Sequence, residues 1–226
     1  MCTATEPRLA PYVTLRDREK IAAGTLAMDL AAPGRPRLYY RDEHPADRDN
    51  RAVLWVRYSQ RQRDPHGTPT GRPRPHLLHP LRQRETMFGL KCAVCLAPAR
   101  TPLGWIFLKG PDELWSQDDL VLTAHPPVCP EHVQEAAHAF PHLKGRPLVY
   151  LSASAPSYGV HGTVCEVDRS PEHELRFEDT TRLLPYGHPR LPTFLAGQMV
   201  RQLADFEVIT VRDLMSILRS AAVIAA

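Results

Sequence analysis

Cys92-Ala93-Val94-Cys95, and after a gap of 33 residues Cys129-Pro130-Glu131-His132, are the two stretches on which the reading of this chain turns. A C-x-x-C pair and a C-x-x-H pair supply four soft or borderline donors. The two-residue spacing lets both members of a pair point at one ion. The first pair precedes a strand-like stretch, Gly104-Trp105-Ile106-Phe107-Leu108, so it reads as a knuckle turn. In the second, Pro130 suits the first position of a short helix running to Ala139, which makes Cys129 the N-cap. A thiolate there faces the positive end of the helix dipole. Knuckle, hairpin and helix N-terminus, in that order, make a treble-clef zinc module, expected over residues 88–145. The expected cofactor is one structural Zn2+ held by Cys92, Cys95, Cys129 and His132.

His125, His138 and His142 lie near enough in sequence to compete with His132 for the fourth place; spacing favours His132. Four protein donors close the site, whereas a catalytic zinc keeps one position open. No His-x-Glu precedes a C-x-x-C in the order that a zinc deaminase needs. A His-Asn-His nuclease built on a treble clef would carry an Asp-His pair and an Asn between the two cysteine pairs. Residues 96–128 contain neither. Cys2 and Cys165 have no partner at ligand spacing, and Cys165, in an apolar stretch, reads as a small core residue.

Further strings point the same way. Leu81-Arg82-Gln83-Arg84, Met87, the C-x-x-C pair, Gly104-Trp105, His125-Pro126-Pro127-Val128-Cys129 and Leu195-Ala196-Gly197-Gln198-Met199-Val200-Arg201 stand in this order. Over residues 50–206 the chain resembles a set of actinobacterial, Streptomyces-like zinc-finger proteins with a treble-clef-like CxxC…CxxH/C motif. In those proteins the fourth ligand is usually cysteine; here the matching position is His132. The resemblance implies the metal site and an actinobacterial source, and carries no activity.

The rest of the 226 residues reads as a single α+β domain, with short antiparallel strands around the zinc site and helices at the C-terminus. The 23 prolines argue against long helices before that end. Residues 1–34 read as a helical or irregular lead-in, with spaced apolar residues from Leu15 to Leu30. Arg37–Tyr40 and Ala52–Tyr58 read as two strands of a hairpin, with the charged stretch Arg41–Arg51 as its loop. Residues 60–84 form an Arg/Pro-rich exposed loop; five prolines and two glycines in residues 60–81 leave no regular element there. Its end, Pro80–Met87, could make a helical turn into Cys92. Pro147–Ser152 and Gly162–Val167 read as strands. Residues 192–226 hold two helices. Pro192–Phe206 carries a stripe of Phe194, Leu195, Met199, Val200 and Leu203. Thr210–Ile224 has Thr210 as N-cap, Asp213 three residues later, and an apolar face of Val211, Leu214, Met215 and Leu218.

No apolar run approaches the roughly 18 residues of a membrane span. The N-terminus lacks a basic start followed by an apolar stretch, the pattern of a secretory signal. An odd number of cysteines, five, fits a disulfide framework poorly. These features read as a cytoplasmic protein with reduced thiols and no membrane partner.

Charge is uneven. Residues 1–90 carry 16 Lys+Arg against 10 Asp+Glu, net +6, and residues 91–226 carry 12 against 15, net −3. Arg57, Arg61, Arg63, Arg72, Arg74, Arg82 and Arg84 stand with a single acid, Asp64, among them. Such a stretch could track phosphates, so nucleic acid is the leading partner and a regulatory or nucleic-acid-binding module the leading function. The bland alternative is a solvated loop. A protein-interaction scaffold is the second reading, with the C-terminal helix offered to a protein partner or to a second copy of the chain. An enzyme is the third and weakest. His161, His188 and His173, the last flanked by Glu172 and Glu174, stand alone. No G-x-S-x-G, phosphate-binding glycine loop or nucleophile–base pair defines a reaction.

Overall fold

A computed structural model of the chain describes residues 10–22, 24–29, 36–65, 67–110, 115–117, 120–143, 147–167 and 174–224. Cys2, the Glu172-His173 pair and residues 1–9, 23 and 30–34 of the lead-in lie outside that set. The strands are β1 (Thr14–Arg16), β2 (Leu26–Asp29), β3 (Arg37–Tyr40), β4 (Leu54–Trp55), β5 (Pro73–Leu78), β6 (Arg100–Thr101), β7 (Gly104–Lys109), β8 (Trp115–Gln117), β9 (Leu120–Thr123), β10 (Leu148–Ser154), β11 (Ser157–Val167), β12 (Leu175–Phe177), β13 (Arg182–Pro185) and β14 (Phe194–Thr210). The α-helices among the described residues are α1 (Pro80–Gly89), α2 (Val133–Ala139) and α3 (Val211–Ile224). The fold is therefore mixed and mostly antiparallel.

Its spine is a ribbon of two long strands. β10 and β11 lie end to end along one edge of β14: Leu148 pairs with Thr210 and Ser154 with Ala204, then Ser157 with Arg201 and Val164 with Phe194. Pro156, with no N–H to donate, stands at the junction. Its carbonyl still accepts the Gln202 N–H at 3.1 Å, so the pairing runs on across the gap. β7 covers the far edge of β10, and β13 and β12 cover β11. The other edge of β14 takes β4 in parallel and β9 antiparallel.

This ribbon corrects the largest expectation from sequence. The Pro192–Phe206 stripe is not helical; only Leu191–Thr193 makes a 3-10 turn, and Phe194–Thr210 is one strand of 17 residues. Register shifts at Ser157/Gly159 and His161/Gly162 break the two-residue alternation, and Met199, Val200 and Arg201 are buried in succession. A bulged strand can thus imitate helical spacing. Backbone demand on both edges decided the matter.

Three shorter expectations are also amended. The lead-in, expected to be helical or irregular, is irregular over its described part except for two short strands, β1 and β2. β3 pairs with β2, and β4 joins β14, so Arg37–Tyr40 and Ala52–Tyr58 are not one hairpin. The segment between them holds a 3-10 turn at Pro45–Asp47. Residues 60–81 are not wholly irregular: β5 pairs antiparallel with β1. Its Pro73 and Pro75 are tolerated because β5 has one strand partner, an edge position. By contrast α1, β7, β10, β11 and α3 stand where expected. The α3 cap is reciprocal: the Asp213 N–H donates to Thr210 Oγ1 at 3.1 Å, and the Thr210 N–H to Asp213 Oδ2 at 3.3 Å.

α1 is seated by polar side chains that never reach solvent. The Gln83 amide donates to the Met199 carbonyl at 2.8 Å and the Ala124 carbonyl at 2.6 Å, and accepts the Met199 N–H at 2.9 Å. It thereby acts as a further strand partner of β14. Arg201 donates to the carbonyls of Met87 at 2.7 Å, Phe88 at 3.0 Å and Ala155. Two of these are at the C-terminal end of α1, where a cation also meets the helix dipole favourably. Arg82 is 1% exposed and Glu19 0% in their side chains, and they bond at 2.7 and 2.8 Å. Arg82 also donates to the Thr14 carbonyl at 2.8 Å.

Burial would raise the Glu19 carboxyl, but hydrogen bonds from Arg82 and from the Arg61 and Arg16 backbone outweigh it and hold it at about 2. The contribution of this pair is then complete above the ordinary carboxylate value of 4.5 and is lost as pH falls toward about 2. Glu19→Gln, which strands a buried guanidinium, is expected to cost about 3–5 kcal/mol in urea unfolding at neutral pH. The same variant should flatten the loss of stability between pH 4.5 and 2. An unchanged acid limb would contradict this account.

Candidate metal centre

α1 ends with Leu90 in the left-handed region, and the Lys91 N–H turns back to the Thr86 carbonyl at 2.9 Å. That delivers the chain into a tight turn at Cys92. The Cys92 N–H bonds the Ala97 carbonyl at 2.7 Å, and the Leu96 N–H the Cys92 carbonyl at 3.0 Å. Leu96 takes φ 66°, a conformation that costs a non-glycine residue about 1–2 kcal/mol. Inside the turn, backbone N–H groups aim at sulfur: Val94 N–H to Cys92 Sγ at 3.4 Å, and Ala97 N–H to Cys95. This is the knuckle expected from C-x-x-C.

The second pair arrives from the sheet. Val128 bridges to Ile106 of β7, with its N–H on the Ile106 carbonyl at 2.9 Å. The Ala93 N–H bonds the Pro127 carbonyl at 2.8 Å, tying knuckle to second pair directly. Cys129 is extended, at φ −79° and ψ 159°, and caps a 3-10 turn, Pro130–His132, that runs into α2. The helix expected over Pro130–Ala139 is thus a 3-10 turn followed by an α-helix.

One donor atom from each of Cys92, Cys95, Cys129 and His132 lies within 4.8 Å of the other three. Cys95 Sγ is 3.8 Å from Cys129 Sγ, and Cys129 Sγ is 3.1 Å from His132 Nδ1. Two sulfurs on a tetrahedral zinc with Zn–S of about 2.3 Å would be about 3.8 Å apart. Cys92 and Cys129 are buried, His132 half-buried, and Cys95 exposed, so the group sits at the surface end of a core. That core is the one built from Val94, Ile106, Val128, Val133, Ala136 and Leu214. Burial pushes the Cys129 thiol far up, helped by Glu131 and the neighbouring cysteines. Burial and the Cys92 sulfur likewise raise Cys95. A divalent cation reverses that crowding, since it favours the thiolates. The group could therefore hold a metal ion.

The competing histidines are engaged elsewhere. His125 and His142 stack at 4.0 Å, and His138 Nδ1 meets the Gln134 carbonyl at 2.6 Å. Cys165 is buried in β11, its thiol raised to about 11 by burial and by Glu166. Of the enzyme candidates, His161 is pushed below the ordinary histidine range by burial, and His188 Nδ1 accepts the Arg190 N–H at 3.1 Å in a turn.

The seven arginines do not form one phosphate-tracking stripe. Arg57 grips Asp47 at 2.6 and 2.8 Å and Asp42 at 2.9 Å, over the Tyr40 ring. Arg82 is the buried partner of Glu19. Arg63 donates to the Tyr12 hydroxyl at 2.7 Å, and Arg84 stacks over Trp55. Arg61 gives its backbone N–H to Glu19 at 3.0 Å. Arg72 and Arg74 are exposed, at and just before β5. Sequence reasoning passed over Arg51 and Tyr186, which share a cavity with Arg84; no spacing in the chain links them.

The fold and the site thus define a mixed, mostly antiparallel α/β protein whose Cys3His group could bind a metal ion. Among the described residues no helix is long and apolar enough to cross a membrane. No protein-family model, curated protein or solved structure matches the chain.

Titration with Co2+ under reducing conditions is expected to give a thiolate charge-transfer band that saturates at about one equivalent. Cys129→Ser should abolish the band, and His138→Ala should leave it intact. Saturation of the wild type without any thiolate band would remove these cysteines from consideration.

Proposed function

We propose that Cys92, Cys95, Cys129 and His132 hold one Zn2+ in a closed structural site of treble-clef type, and that the protein is a regulatory binding module rather than an enzyme. The observation carrying this reading is that four protein donors, drawn from two segments 33 residues apart, already converge within 4.8 Å. Four donors leave no corner of a tetrahedron for substrate. The order of elements supports the treble clef: knuckle, then the β6–β7 hairpin, then the capped turn and α2. The intervening segment is longer than a bare hairpin, because β8 and β9 follow β7. Thiolate ligands favour a reducing, cytoplasmic setting.

The ion, in this reading, clamps the turn after α1 to the start of α2. The large core supplies stability of its own, so only part of the roughly 10–16 kcal/mol seen for isolated zinc-finger peptides should appear here. Elemental analysis of the purified chain should find about one zinc per molecule. A strong chelator should lower the melting temperature and release α2 first in hydrogen exchange. Zinc-free protein with an unchanged melting curve would rule out a structural ion.

Nucleic acid is the partner favoured by Arg72 and Arg74, which stand exposed at β5 beside exposed His76. Mobility shifts across a salt series should weaken with salt, and the paired substitution Arg72→Ala, Arg74→Ala should reduce the slope by about 2. Absent or salt-independent binding would leave the module to protein or small-molecule partners.

A further inference from the structure

A cavity of about 560 Å³ opens between α1, β4 and the loops around Asp49 and Tyr186, away from the cysteines. Its volume lies within the roughly 300–1,000 Å³ of small-molecule sites. Two of its walls are guanidinium groups laid on aromatic rings. Arg51 lies 4.1 Å over the Tyr186 ring and Arg84 5.0 Å over Trp55. Each contact sets a positive charge on a ring face, and Arg51, being exposed, keeps N–H groups open to an acceptor. Arg84 Nη2 donates to the Ala46 carbonyl at 3.2 Å, while Nη1 is sealed from solvent without an acceptor. At the rim stands Phe88, 65% exposed, the most exposed large apolar side chain among the described residues.

The acids of the cavity are already occupied. Asp49 accepts the N–H groups of Arg51 at 2.9 Å and Val53 at 3.0 Å, the Trp55 indole N–H at 3.3 Å and the Tyr186 hydroxyl at 3.4 Å. Glu85 accepts the Tyr12 hydroxyl at 2.6 Å and lies 3.7 Å from Arg63 and 3.6 Å from Lys91. Arg48 and Arg82 also border the space, but they are spent on Glu43 and Glu19. Arg63, a further lining cation, is held by Tyr12 and Glu85, which leaves Arg51 as the cavity's exposed cation, with the neutral Asn50, Gln60 and Ser157 and the open face of Phe88 beside it.

We propose that this cavity binds a small aromatic anion, a flat ring bearing a phosphate or a carboxylate. The anionic group meets the N–H edge of Arg51 within the field of the Arg84 charge, and the ring lies against Phe88. Charge and ring are both required, because neither the guanidinium edge nor the phenyl face alone encloses a ligand. The site is independent of the metal ion.

Isothermal titration calorimetry on the full chain tests this with four probes: adenosine monophosphate, salicylate, adenosine and inorganic phosphate. At least one of the two aromatic anions should saturate with a Kd below about 1 mM. The ring without charge and the charge without ring should each bind at least about tenfold more weakly. Preference for the nucleotide would identify phosphate as the anionic group, and preference for salicylate a carboxylate. Arg51→Met should weaken the preferred probe by about tenfold or more, the loss of one charge-assisted contact, and Arg84→Met should weaken it in the same direction through the loss of one nearby positive charge. Circular dichroism and the Co2+ titration should stay as in the wild type. Arg51 is exposed, so its variant carries the test alone if Arg84→Met does not fold. No saturation by either aromatic anion, equal binding of inorganic phosphate, or full binding by Arg51→Met would overturn the proposal.

Discussion

The pairing of β14 is the constraint to which the other elements conform. A strand of 17 residues exposes backbone donors and acceptors on two edges, and each left dry and unpaired would cost about 1–3 kcal/mol. β10 and β11 take one edge together. The other edge is too long for β4 and β9, which cover only Leu195–Ala196 and Arg201–Leu203. Gln83 closes the remaining gap at Met199 with a side-chain amide. That requirement, more than any helix propensity, fixes where α1 lies, and the end of α1 fixes where the Cys92 turn begins.

Seen from the cysteines, the sheet has done most of the positioning before any ion arrives. Val128 is hydrogen-bonded to β7, and Ala93 to Pro127, so the two donor pairs meet through main-chain bonds. The turn still holds Leu96 in a left-handed conformation, and burial beside neighbouring sulfur disfavours the thiolate forms of Cys95 and Cys129. These local costs are what a cation would offset. The crowding of the sulfurs favours a metal as much as their spacing does.

Features that depend on neighbours in sequence were legible. The Thr210–Asp213 cap is closed within one turn, the two C-x-x-[CH] pairs are local, and Pro130 announces its turn. Features that depend on distant partners were not. Nothing near Arg82 reveals that Glu19, 63 residues away, will bury it, so it looked like a surface cation. Arg57 misled in the same way through Asp47 and Asp42. The Phe194–Leu203 stripe misled more deeply, because register shifts against β11 at Ser157/Gly159 and His161/Gly162 gave a strand the spacing of a helix. Arginine-rich composition indicated charge without indicating that much of it would be neutralised inside the fold.

Pro156 marks where one long strand is written as two. On its β10 side, Val149 and Leu151 face the core that holds the cysteines; on its β11 side, Val160 and Val164 face a second core with Trp55 and Phe194. Arg201 sits opposite this joint, its guanidinium reaching Ala155 and the end of α1. Neither half can peel away without exposing that buried charge, so the two cores are coupled into one cooperative unit. Their main-chain amides should therefore open together, and last, in native-state exchange.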